Sequence, residues 1–285
     1  MLDVILEGLS HWLQYLEGYS ARNIIPHLSI IMWLYAWLGL FEYFFPAEPG
    51  QPFKGRIKNF FLTSIYLFSG LILGSAVSLY LPTLPWSSIS LVQCSPAFAV
   101  FLYIFSADFF FYWYHRAQHN IPALWKVHEL HHSDGQLNAT TTHRTFWLET
   151  ILQKIFIVMP AVFVVHIESA AFPLILGIMV SWLHFTHSNI RLQLGPLTPI
   201  ICGPQLHRLH HSIKPEHLDK NFAQFFPLFD IIFGTYVKPQ KDEFPPTGTK
   251  DMESDVSYSM AVLSPFPYWR ESLGKWLLKY SGKKN

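Results

Sequence analysis

The sequence predicts an all-α fold: a multi-pass transmembrane helical bundle carrying a cytosolic, histidine-rich helical cap. Three observations predict it. Charged residues make up 14% of the 285 and apolar residues 51%, against about 25% charged in soluble globular chains. Several apolar stretches reach bilayer length. The 15 histidines gather beside those stretches instead of spreading evenly. So much apolar surface excludes intrinsic disorder. A net charge of +1 leaves no field to hold nucleic acid. The isolated Cys94 and Cys202 make neither a disulfide scaffold nor a zinc ribbon.

The whole chain, 1–285, reads as one membrane-embedded domain. Residues 1–25 lack the basic start and small-residue cleavage site of a signal peptide. Leu2, Ile5, Leu6, Leu9, Leu13 and Leu16 recur at helical spacing and predict an amphipathic helix at the membrane interface. A hydrocarbon core needs about 20 apolar residues per helix. Residues 27–46 (one charge, Glu42), 59–81 (none) and 91–114 (only Asp108) meet that length. Residues 151–187, split around Val165-His166-Ile167-Glu168, predict a tight helical hairpin. Residues 115–150 and 188–238 form the cap. Residues 239–267, with Pro245, Pro246 and Gly248, predict an irregular connector. Trp269, Leu273, Trp276, Leu277 and Tyr280 predict a tail helix, either at headgroup level or packed on its own domain.

Lys and Arg set the orientation. The loop 50–58, the stretch 115–154 and the tail from Ile190 together hold 19 of the 20 basic residues, leaving Arg22 on the other side. Five crossings bring all basic segments to one face, with the N-terminus outside and the C-terminus in the cytosol. The compact length and lack of a retention signal favour a bacterial plasma membrane over the endoplasmic reticulum.

The histidines are patterned: His115-x3-His119, His128-x2-His131-His132, His143, His184-x2-His187 and His207-x2-His210-His211. On a helix, positions i, i+3 and i+4 share a face, so each motif aims two or three imidazoles at one point. Imidazole is the commonest protein metal ligand. Nine or ten such rings exceed the four ligands of a zinc site and suit two metals. Ligand softness alone admits Fe, Zn, Cu or Ni. His184 shares the face of His187, as ligand or as support. The lone His11, His27, His166 and His217 read as polar fillers. Metal-bound imidazoles usually donate their other N–H to a carboxylate or amide. Asp108, Asp134, Asn138, Asn189 and Asp230 flank the motifs and are the candidates for that role. Arg144 and Glu149 are expected to pair with each other.

At DFFFYWYHRAQH (108–119), WKVHELHHSDGQLNATTTHR (125–144), HSNIRLQLGPL (187–197), PQLHRLHHS (204–212) and DKNFAQFFPLFDIIFGTY (219–236), the chain resembles the fatty acid hydroxylase/sterol desaturase superfamily. The resemblance covers roughly half the chain. It implies a membrane-bound non-heme diiron oxygenase that uses O2 and electrons to hydroxylate or desaturate a lipid, of fatty acyl, sterol or ether-lipid class. It implies two Fe ions held by His115, His119, His128, His131, His132, His187, His207, His210 and His211, with His184 as a tenth candidate. One position departs from the family: Phe146 stands where many members have histidine, with His143 nearby as a possible substitute. No GxGxxG or CxxC element marks a fused redox domain, so electrons are expected from a separate carrier of ferredoxin or cytochrome b5 type. Lys126, Lys214 and Lys220 are candidates to dock it.

Two other classes compete. A zinc hydrolase needs a general base as in HExxH, and His128-Glu129-Leu130-His131 lacks that spacing. A non-enzymatic metal-binding or transport protein would place ionisable residues inside the crossings, whereas these histidines lie at their ends.

Overall fold

The computed structural model describes residues 25–80, 95–165 and 171–280. The expected N-terminal amphipathic helix, the loop 82–90 and the turn of the hairpin at 166–170 lie outside the described residues. The described residues are helical, with only two isolated bridges and no strand. The principal helices are α1 (Ile25–Phe44), α2 (Phe53–Tyr80), α3 (Pro96–Asn120), α4 (Pro122–His132), α5 (Glu149–Gln153), α6 (Met159–Val164), α7 (Phe172–His187), α8 (Pro204–His210), α9 (Leu228–Ile232), α10 (Tyr258–Leu263) and α11 (Pro265–Tyr280).

Two of these, α1 and α3, are long and apolar enough to cross a membrane, and α7 contains a shorter apolar run, Pro173–His187. Their outward faces are apolar: Trp33 is 67% exposed and Phe44 62% in α1, Phe98 48% in α3 and Leu174 59% in α7. Soluble monomers rarely show apolar surface of that extent.

Prolines punctuate the helices where the site needs turns. Pro122 forbids the α region to the residue before it. Ile121 is therefore extended (φ −106°, ψ 112°), α3 stops at Asn120, and α4 restarts at once. This hairpin packs the HxxxH end of α3 against the HxxHH of α4. Pro160 removes a helical donor, and the preceding turn widens to a π-helix at Lys154–Val158 between α5 and α6. Pro204 starts α8 after the extended Gly203, where a Cβ would meet Leu194 Cδ1 at 2.6 Å.

Glu42, the single charge of α1, is 3% exposed and ties this helix to the cap. It pairs with Arg56 of α2 and accepts the backbone N–H of Ala139 (2.7 Å) and Asn189 (2.8 Å). The connector is less irregular than its composition predicts, because α10 lies within it. Its Pro245 carbonyl accepts from Arg208 Nε at 2.9 Å, and Thr247 Oγ1 donates to the Asp134 carbonyl at 3.0 Å. It thus braces both α8 and the segment after α4. The tail helix α11 packs on its own domain along one face. Trp269 Nε1 donates to the Ala123 carbonyl at 3.0 Å, while Leu273, Trp276 and Leu277 stay more than half exposed.

Candidate metal centre

Nine imidazoles from α3, α4, α7 and the α8 segment converge in two groups. The first is His115, His119, His128, His132 and His210; the second is His131, His187, His207 and His211. Within each group the ligand nitrogens lie within 4.8 Å of one another. In the first, His115 Nε2 is 3.0 Å from His128 Nε2, and His132 Nε2 is 3.2 Å from both His119 Nε2 and His128 Nε2. In the second, His187 Nε2 is 3.0 Å from His131 Nε2 and from His207 Nε2, and His211 Nε2 is 3.2 Å from His207 Nε2.

These separations fit a shared cation. Two nitrogens each about 2.1 Å from one ion are about 3.0 Å apart at a right angle and about 3.4 Å apart at a tetrahedral one. Ring tautomers agree. Where Nδ1 donates to a carbonyl, Nε2 must carry a lone pair. That holds for His115 (Phe222 carbonyl, 2.8 Å), His187 (Leu183 carbonyl, 2.7 Å) and His210 (Lys220 carbonyl, 2.8 Å). The freed Nε2 of His210 is buried and without a protein partner. Burial pushes the rings of His128, His131, His132, His207, His210 and His211 well below the ordinary imidazole pKa, with neighbouring imidazoles adding to the effect. Neutral rings are the form that binds metal.

The two HxxHH motifs divide in opposite ways. In α4 the i and i+4 rings, His128 and His132, join the first group, and His131 joins the second. At α8 the i and i+4 rings, His207 and His211, join the second group, and His210 crosses to the first. The motifs interlock, so neither group is complete without both.

His184 stands outside both groups. Its Nδ1 donates to the Val180 carbonyl at 2.8 Å, and its ring lies 5.0 Å from that of His143 and 5.5 Å from that of Tyr35. His143 does not take up a place beside the groups; its ring lies against those of Tyr66, His184 and His27. Phe146 is fully buried and packs edge-on to Phe266 and Trp269 of the tail helix.

None of the five expected supporting residues touches an imidazole. Asp230 and Asp108 act one bond further out, on backbone. Asp230 accepts the N–H of Phe222 (2.7 Å) and Ala223 (2.9 Å); Asp108 accepts those of Gln224, Phe225 and Phe226 (2.9, 3.1 and 2.7 Å). Together they fix the strap 219–226, whose carbonyls orient His115 and His210. Asp134 accepts from Asn59 and Thr141, Asn138 caps the short 3-10 helix Ala139–His143, and Asn189 accepts from Glu48 N. The carboxylate that does reach a ring is Asp219, which accepts from His119 Nδ1 at 3.1 Å. Its position in the DKNF segment was the available signal.

Arg144 and Glu149 do not pair with each other. Arg144 is buried and donates to the Leu130 carbonyl, Asn59 Oδ1, Ser133 Oγ and the Ser254 carbonyl. Glu149 accepts from Tyr114 and Gln118. Glu129 is occupied by Lys126 at 2.7 Å, and Lys214 by Glu243 at 3.3 Å.

Trp125, whose ring lies 5.2 Å from that of His119, lines a cavity of about 310 Å³ with His119, His132, His210, Asp219, Lys250 and others. The cavity reaches the surface at Lys250 and Asp251 of the connector, both exposed.

The family model described as fatty acid hydroxylase matches residues 100–235, the stretch that contains all nine rings. Over residues 100–235 the chain is similar to that family. An alkylglycerol monooxygenase of Xenopus tropicalis is 32% identical over 166 residues, 56% of this chain and 33% of its own length. Ornithine lipid hydroxylase OlsE of Rhizobium tropici is 31% identical over 152 residues, 52% of this chain and 45% of its own. A putative Delta(7)-sterol-C5(6)-desaturase 2 of Arabidopsis thaliana is 27% identical over 251 residues, 84% of this chain and 86% of its own. The chain spans about a third of the length of the alkylglycerol monooxygenases it matches. No solved structure matches it. The fatty acid hydroxylase segment includes Asp108, Asp219 and Asp230, whereas Glu42 and the bracing connector lie beyond it.

Proposed function

We propose that this protein is an O2-dependent oxidoreductase that hydroxylates or desaturates a membrane lipid at two irons. The observation that carries the reading is the pair of interlocked imidazole groups, whose Nε2 atoms crowd to 3.0–3.2 Å in a buried site. Crowded lone pairs repel unless a cation or a proton lies between them, and buried rings resist protonation.

Bound iron would supply the activation of O2 that attack on an unactivated C–H bond requires and side chains cannot provide. The chain's own residues do the rest. His115, His119, His128, His132 and His210 would hold one ion; His131, His187, His207 and His211 would hold the other. The carbonyls of Phe222, Lys220 and Leu183 fix three ring orientations. Phe111, Phe222 and Trp125 pack against the rings of the first group. Hydroxylation takes two electrons and two protons with O2 and returns one water, so a separate ferredoxin- or cytochrome b5-type protein supplies the electrons. The basic bias supports a cytosolic side for the histidine-rich region, and the apolar outer faces of α1, α3 and α7 support a lipid substrate drawn from the surrounding bilayer.

The test is lipid profiling of a host expressing the wild type beside His131→Ala. A lipid that gains one oxygen, or loses two hydrogens, only with the wild type supports the reading. Identical profiles from a metal-loaded wild type and the variant overturn it.

A further inference from the structure

The two groups are not equally enclosed. All four rings of the second belong to buried residues, and His187 and His211 are 1% exposed. In the first, His119 is the one residue of the nine that is only partly buried. The cavity of about 310 Å³ touches His119, His132 and His210 and no ring of the second group. At its wall, His119 Nδ1 donates to Asp219, whose side chain is 60% exposed.

The orienting contacts are unequal too. Asp219, Lys220 and Phe222, within four residues of one strap, accept from His119, His210 and His115. The inner end of the strap is pinned by the buried Asp230 and Asp108. At its outer end the Lys220 carbonyl holds the buried His210, and the exposed Asp219 holds the partly buried His119. Asp219 and Asn221 both take positive φ (55° and 58°), a backbone that Asp and Asn tolerate better than other side chains with a Cβ.

We propose that the two metal positions differ in exchange. The first ion is loaded and released through this cavity, past His119, with the Asp219–His119 hydrogen bond as its latch. The second ion is sealed. Asp219 is a positioning residue: it holds the His119 ring without touching the ion. The inference rests on the two-metal reading above.

The experiment is chelator challenge of the purified, iron-loaded protein with EDTA, following metal per chain with time by mass spectrometry. The expected result is two phases, one equivalent leaving quickly and one slowly. Asp219→Asn keeps the left-handed backbone and a hydrogen-bond acceptor but removes the charge. It should speed the fast phase about 10- to 100-fold, the usual scale for loss of a partner behind a ligand, and leave the slow phase unchanged. Thr249→Trp, which fills the cavity, should slow the fast phase. Release of both equivalents in one phase overturns the proposal, as does an Asp219→Asn effect equal on both phases or absent. A protein that binds no metal overturns the two-metal reading itself, so the two failures are distinct.

Discussion

The carbonyl oxygen of Phe222 lies 2.8 Å from Nδ1 of His115, while the N–H of the same Phe222 donates to Asp230 at 2.7 Å. One residue's backbone thus links a carboxylate to an imidazole that the carboxylate never touches. Asp108 extends the link to the next three residues but one, from inside α3.

Asp230→Asn should therefore weaken the first metal group and spare the second. The amide replaces one accepting oxygen with a donor facing a backbone N–H. Stranding a buried donor costs about 1–3 kcal/mol. Metal analysis should show a fall from two ions per chain toward one, and thermal melts should show a lower midpoint. Equal loss of both ions would contradict the link.

Acid should destabilise the metal-stripped protein. Burial holds the folded pKa of His128, His131, His132, His207, His210 and His211 well below the unfolded value of 6.5. Below that value the unfolded chain takes up protons that the folded chain refuses, so stability falls as pH falls. Each ring contributes up to about 1.4 kcal/mol per pH unit. Melting midpoints should stay level above about pH 6.5 and drop steeply beneath it. A midpoint that rises on acidification would disprove the neutral-ring assignment.

His184 and His187 sit one turn apart on α7 and should behave differently. His187→Ala removes a nitrogen 3.0 Å from both His131 and His207 and should empty the second group. His184→Leu deletes a buried Nε2 that has no protein partner, and should leave metal content unchanged and stability within about 1 kcal/mol of wild type. Loss of metal from His184→Leu would return this residue to the ligand set.

Arg144→Lys should cost about 3 kcal/mol or more, although charge is conserved. The guanidinium serves four acceptors in different directions, from Ser254 at 2.8 Å to Leu130 and Asn59 at 3.2 Å. A lysine ammonium is a point charge and cannot span them. Because Leu130 and Ser133 flank His131 and His132, urea denaturation and metal analysis should both register the change.

Much of this was legible in the sequence, for a definite reason. Helical period places i, i+3 and i+4 on one face, so HxxxH and HxxHH announce convergence before any tertiary contact is known. Apolar length likewise announced α1 and α3 as helices long and apolar enough to cross a membrane. How the motifs divide between two groups was not legible, since the crossover of His131 and His210 depends on how α4 and α8 pack. Proximity in sequence also misled. Asp108, Asp134, Asn138, Asn189 and Asp230 flank the motifs, yet backbone N–H groups, caps and turns claim them first. Glu42 was visible as a lone charge in an apolar helix, and its cost there was the signal that it must bind something. Arg144 and Glu149, five apart, are too far round a helix to meet, and the chain between them is not one continuous helix.

The most direct test of the account is the iron content of the purified protein and of His131→Ala and His210→Ala. The account predicts two irons per chain in the wild type and about one in each variant, because each ring belongs to a different group. One metal in the wild type, or two retained in both variants, would contradict it.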